Sequence, residues 1–198
     1  MKKYELLKDD TKTVFGRTLY RIKSVRDFGD VKKGDLGGYI ESENNLSHYD
    51  NAWVFDNAQV FDDARVYDNA QVFDDARVYG NARVFDNAEV YDDAEVYDDA
   101  EVYGDAEVYD NAEVYGDAWV WGNAVIKSTK DYIVFKNNWS SGRYFTYTKS
   151  NKMWKVGCFY GTGQELIEKA YADSELSGKC YEAYVKFVEQ LEEIQEVE

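Results

Sequence analysis

The 198-residue chain contains no proline, one histidine and two cysteines, and each scarcity removes a class of protein. Average usage near 5% predicts about ten prolines. Their absence suits a chain made of backbone ladders, from which every proline would remove a donor. One histidine, His48, cannot supply a three-histidine zinc centre. Cys158 and Cys180 do not make a disulfide framework, and with no apolar leader in MKKYELLKDD they are expected to be reduced thiols. No run of about 18 apolar residues is available for a transmembrane helix. No P-loop, Gly-x-Gly-x-x-Gly or Cys-x-x-Cys occurs, and no cofactor is implied. Basic charge is also short: 23 Lys and Arg face 39 Asp and Glu, for a net charge of −16. Direct binding to nucleic acid or to an anionic membrane is therefore not expected. A cytoplasmic protein is expected.

What is abundant is one pattern. From Ala52 to Asn123 the chain reads as twelve unbroken hexads of the form Ala-x-Val-aromatic-[Asp/Gly]-[Asn/Asp], followed by the decaying AVIKST. Ala-x-Val-aromatic alternates as a half-buried strand does, with Ala and Val to one side. The following pair tolerates left-handed backbone and forms corners. Strand and corner in strict alternation describe the side of a solenoid.

The hexads resemble the signature of left-handed parallel β-helices, with Val54, Val60 and their successors to Val120 at the aliphatic position and Ala58, Ala64 and their successors at the small one. The resemblance implies a mainly β fold in which three hexads close a triangular coil, so the array makes four coils. LGGYIESENNLS (36–47) before Asp-Asn-Ala-x-Val-Tyr hexads further resembles a phage, prophage and bacterial group of hexapeptide-repeat proteins. The expected organisation is an N-terminal β cap (1–29), a β-helix (30–126, regular over 52–123) and a small C-terminal α+β domain (127–198). Six-residue spacing through Ile40, Leu46 and Ala52 marks an irregular first coil and puts His48 in the inward Val register. Strands are expected at Lys2–Leu7, Lys12–Phe15, Thr18–Val25, Asp131–Lys136, Tyr144–Lys149 and Met153–Phe159, with Cys158 packed inside the last. A capping box at Thr162–Glu165 opens one helix through about Leu176, and a second begins near Gly178. Gly161-Thr-Gly163 is read as a strand-to-helix turn rather than a phosphate cradle.

The β-helix family is best known for acyltransferases, which use a histidine base and a loop excursion from one coil. This chain offers only His48 and no interruption from 52 to 123, so a non-enzymatic role is expected, with a hexapeptide acyltransferase as the weaker alternative. The aromatics are expected to form three outward ladders. The variable position changes from Gln and Arg to five consecutive Glu, so residues 52–87 carry a net −4 and residues 88–123 a net −12. Four coils span about 19 Å at about 4.8 Å each. The net charge then amounts to roughly one per 1.2 Å, against about one per 1.7 Å for duplex DNA. These figures suggest a DNA mimic that occupies the basic groove of a host nucleic-acid-binding or defence protein, such as a CRISPR effector. Its partner-binding residues are Glu89, Asp92, Asp93, Glu95, Asp98, Asp99, Glu101, Asp105, Glu107, Asp110, Glu113 and Asp117. The alternative is a structural scaffold whose acids only solubilise it and which self-associates through its C-terminal helices or coil ends.

Overall fold

The computed structural model describes residues 2–195. The chain starts as a hairpin of β1 (Tyr4–Val14) and β2 (Arg17–Ser24), followed by β3 (Leu36–Ile40). Thirteen two-residue strands follow, β4 (Trp53–Val54) to β16 (Val125–Ile126), one in every hexad. They stack in parallel on three faces. The first face holds β4, β7, β10, β13 and β16, the second β5, β8, β11 and β14, and the third β6, β9, β12 and β15. Partners lie 18 residues apart, as in Val72↔Val90↔Val108. With β3 added to the second face, the whole is a parallel β-solenoid of about five turns.

Every Ala and Val of the hexads is buried, in one continuous core. Alanine at one inward position leaves room for the corner, and valine at the other fills the axis. Each rung is closed by backbone bonds to the next, such as Glu95 N to Ala112 O at 2.9 Å and Tyr97 N to Val114 O at 3.0 Å. All twelve fifth positions have left-handed backbone: the eight Asp have φ between 47° and 59°, and Gly80, Gly104, Gly116 and Gly122 between 64° and 76°. The Asp/Gly alternation thus has one cause, since Asp and Gly both visit this region at low cost.

The lid differs from the sequence expectation in two ways. Lys2–Leu7 and Lys12–Phe15 belong to one strand, β1, whose register shifts between Leu7 and Thr11. Phe15 and Gly16, both at positive φ, form the two-residue turn into β2. The irregular first coil is present, but Ile40 pairs with Val60 and Leu46 with Val66, a separation of 20 rather than 18. Ile40 and Leu46 therefore take the Val position. The reason lies at Gly38, which stands where the array has alanine and whose added Cβ would sit 2.5 Å from Ala58 O. The two surplus residues fall between Leu46 and Ala52, and His48 is displaced from the inward register into the lid.

At the far end β17 (Tyr132–Lys136), β18 (Tyr144–Thr148), β19 (Met153–Val156) and β20 (Phe159–Gly161) form an antiparallel sheet. The expected strand Met153–Phe159 is in fact a hairpin, because Gly157 at φ 55° turns the chain and leaves Cys158 exposed rather than packed. α1 (Gly163–Asp173) opens on the expected capping box, and Glu165 accepts from Thr162 N at 2.8 Å, so the protein's own carboxylate fills that helix end. α2 (Glu175–Gln195) begins earlier than expected, because Ser174 is extended and its Oγ accepts from Ser177 N. Gly178 lies inside α2, where an added Cβ would meet the Tyr171 ring at 2.3 Å. It marks a close helix crossing, not a helix start.

Candidate acidic interface and the aromatic ladders

The three faces divide the acidic residues. Successive hexads lie on successive faces, so the five consecutive Glu do not form one row. Glu89 and Glu107 are in register on the first face, and Glu95 and Glu113 on the second. Glu101 is alone on the third, between Arg83 and Trp119. Of the corner acids, Asp92, Asp93 and Asp110 follow the first face, Asp98, Asp99 and Asp117 follow the second, and Asp105 follows the third.

The aromatics stack as three ladders. Phe73, Tyr91 and Tyr109 continue from Phe55 on the first face, with centroids 4.7–4.9 Å apart from Phe73 onward. Phe61, Tyr79, Tyr97 and Tyr115 follow at 5.0–5.3 Å on the second. Tyr67, Phe85, Tyr103 and Trp121 stand at 4.5–5.2 Å on the third.

Most of the glutamates have partners in the coil before them. Glu95 pairs with Arg77 and accepts from Tyr79 Oη at 2.8 Å. Glu107 accepts from Tyr91 Oη at 3.1 Å and Glu113 from Tyr97 Oη at 2.8 Å. Glu101 lies 3.4 Å from Arg83. Glu89 follows Phe73, which has no hydroxyl, and among the described residues it has no side-chain partner. Burial first, and then the neighbouring Glu107 charge, raise the Glu89 pKa. The same burial, with the hydrogen bonds to Glu95, Glu107 and Glu113, drives the Tyr79, Tyr91 and Tyr97 phenols far above their ordinary range. The repeating signals were spacings of 16 residues between Tyr and Glu and 18 between Arg and Glu.

The corner carboxylates also have partners. Asp92 Oδ2 accepts from Asp110 N at 3.2 Å and Asp98 Oδ2 from Gly116 N at 3.3 Å. Asp99 accepts from Asn81 and Asp105 from Asn87, both at 2.9 Å. Asp93 and Asp117 have no side-chain partner among the described residues. The densest unpaired charge is therefore the first face with its following corner: Glu89, Glu107, Asp74, Asp75, Asp92, Asp93 and Asp110. None of these forms an ion pair among the described residues, unlike Glu95 and Glu101.

Both ends of the rod are closed. Lys3, fully buried, donates from Nζ to Ala52 O at 2.6 Å and Tyr49 O at 3.3 Å, and Tyr4 donates to Leu46 O at 2.8 Å. Burial, with Arg26 nearby, lowers the Lys3 pKa to about 8. His48 stacks on Tyr4 at 4.2 Å, accepts from Lys3 N through Nδ1 and faces Glu43 through Nε2. Its two nitrogens thus face the N-terminal cap and the first coil. At the other end Thr146 Oγ1 accepts from Trp119 N and Ser150 Oγ from Val125 N, while Lys155 lies over the Trp121 ring at 4.0 Å.

Residues 58–92 match the YdcK beta solenoid repeat in three overlapping segments, 58–74, 70–84 and 76–92. The array is a β-solenoid repeat. The match lies wholly inside the regular hexads and leaves lid and C-terminal domain outside it. No curated protein matches the chain. Among the described residues, no helix is long and apolar enough to cross a membrane, and no three His, Cys, Asp or Glu cluster as metal ligands.

Proposed function

We propose that the solenoid is a left-handed hexapeptide type of phage-related origin, and that the protein works by binding rather than catalysis. The first face and its corner present carboxylates to a basic protein groove of the kind that otherwise holds nucleic acid. The observation carrying this reading is the in-register pair Glu89 and Glu107 beside Asp92, Asp93 and Asp110, with no cation paired to any of them among the described residues. Like charges opposed on neighbouring strands destabilise a sheet, and a partner's arginines would relieve that repulsion while steering its approach.

The test compares the parent with a triple variant, Glu89→Gln, Glu107→Gln and Asp93→Asn, and with a third-face control, Glu101→Gln. Nucleic-acid-binding proteins captured from a bacterial lysate should be released by duplex DNA and lost with the triple variant but kept by the control. Capture unchanged by the triple variant, or indifferent to salt between about 50 and 200 mM, refutes the reading.

One further observation favours a self-assembling scaffold. α2 buries Tyr181, Val185 and Val188, yet carries a second apolar stripe, Leu176, Cys180, Ala183, Phe187, Leu191 and Ile194, in which Leu176, Phe187 and Ile194 are exposed. The array contains 14 Asp, 5 Glu and 3 Arg, whereas the rest of the chain balances 20 acids with 20 bases. Two copies repel along their rods and can meet at these near-neutral ends. Light scattering should then report a dimer that Phe187→Glu makes monomeric; a monomeric parent removes this reading.

A further inference from the structure

The third-face ladder lacks its first rung. Ser47 donates its backbone N–H to Val66 O at 2.9 Å, which aligns it with Tyr67, where every later coil has an aromatic. A serine cannot cover the Tyr67 ring, and a recess of about 360 Å³ remains, lined by Asn44, Ser47, Arg65, Val66, Tyr67 and Arg83. The second-face ladder is finished differently: Phe15 packs on Phe61, which is 1% exposed. The Tyr115 end of that ladder adjoins a recess whose lining includes Asp117, Thr129, Tyr132 and Tyr144 and no cation.

Arg65 and Arg83 stand side by side, in register on neighbouring strands. Arg65 has no acidic partner among the described residues, and Arg83 reaches Glu101 only at 3.4 Å. Two of the array's three arginines are thus brought together at one recess. Asp68 and Asp86 stand at the adjoining corner, where each carboxylate accepts a backbone N–H from the coil after it, Asp68 from Asp86 N and Asp86 from Gly104 N, so the two arginines must outweigh their charge.

We propose that this recess binds a mononucleotide, its planar base completing the ladder on Tyr67 and its phosphate held by Arg65 and Arg83. Stacking is indifferent to which base is present, because each has a π-face. A dianionic phosphate matches two planar donor forks better than a single carboxylate does. The Asn44 side-chain amide, without a partner among the described residues, supplies a further hydrogen-bonding group, and the volume lies in the range of small-molecule sites. The proposal is independent of the acidic-edge reading, since Glu89 and Glu107 lie on another face.

Calorimetry on the full chain with AMP, adenosine, inorganic phosphate and indole-3-acetate decides it. AMP should bind at least about tenfold tighter than any of the other three, and Arg65→Gln should weaken it by about tenfold or more. Ser47→Phe, which supplies the missing rung, should abolish binding and raise Tm. Phosphate alone binding as well as AMP, indole-3-acetate matching AMP, or an unchanged affinity in Arg65→Gln overturns the proposal. So does the absence of AMP binding at millimolar concentration. The arginine variant alters only an exposed side chain, so it decides the matter even if Ser47→Phe fails to fold.

Discussion

The corner at Asp92 allows backbone strain and side-chain bonding to be separated. Asp92 sits at φ 57°, and its Oδ2 accepts from Asp110 N at 3.2 Å. Alanine there keeps the left-handed Cβ, which costs about 1–2 kcal/mol relative to glycine, without the polar side chain by which aspartate offsets that cost, and deletes a hydrogen bond worth about 0.5–1.5 kcal/mol. Glycine deletes the same bond but adopts this φ freely, and costs about 0.5–1 kcal/mol in unfolded-chain entropy instead. Removing one charge from the ladder of Asp74, Asp92 and Asp110 offsets part of the loss in both. Asparagine keeps an acceptor and tolerates the backbone. The expected order is therefore Asn at or above Asp, then Gly, then Ala, with Ala about 2 kcal/mol below the parent. For a chain of this size that is a fall of roughly 4–8 °C in Tm, read by circular dichroism at 218 nm in matched low and high salt. Alanine equal to glycine, or asparagine as damaging as alanine, would refute the account of the Asp/Gly alternation.

The tyrosine ladders predict alkaline instability. Folded Tyr79, Tyr91, Tyr97 and Tyr103 hold their protons above the ordinary pKa of 10.0, so beyond that pH the folded state binds more protons than the unfolded and stability falls as pH rises. Urea midpoints at successive pH values, with phenolate absorbance at 295 nm, test this; phenols that titrate normally in the folded protein contradict it. Lys3 acts in the opposite sense. Its folded pKa of about 8 lies below the ordinary 10.5, so between those values the unfolded state binds more protons and this group's contribution rises with pH. Lys3→Met should flatten that limb, and an unchanged slope shows that the ammonium is not held as described. Gly38→Ala should cost about 1–3 kcal/mol or more, because the added methyl meets the Ala58 carbonyl and cannot be relieved by a rotamer change. Hydrogen exchange should then show the loss concentrated in the first coil. Protection lost evenly along the rod would count against it.

The array was legible because its period is short and unbroken: Ala and Val inward, aromatics laddered and Asp or Gly at corners all follow from six residues. The lid was not, since six-residue spacing through Ile40 and Leu46 cannot distinguish the alanine from the valine position. Only the clash that Gly38 avoids decides it, and this sent His48 to the lid instead of the core. Gly157 and Gly178 look alike in sequence, yet one turns a hairpin at positive φ and the other accommodates Tyr171 within a helix. The acidic residues were countable but their company was not. Five glutamates in a row suggested one surface, whereas rotation from face to face separates them, and Tyr79, Tyr91, Tyr97, Arg77 and Arg83 engage four of the five.

The two closures also set a rule for changes in length. The lid is keyed to the rod through Gly38 against β5, and the C-terminal sheet through Thr146 on Trp119 and Ser150 on Val125. Near-identical hexads invite slippage when the gene is copied. Gain or loss of a single hexad would turn one closure by a third of a revolution relative to the other. Gain or loss of three hexads restores the phase and keeps all of these contacts. The rod can lengthen or shorten in whole revolutions, each of 18 residues, and its reach is quantised in rungs of about 4.8 Å.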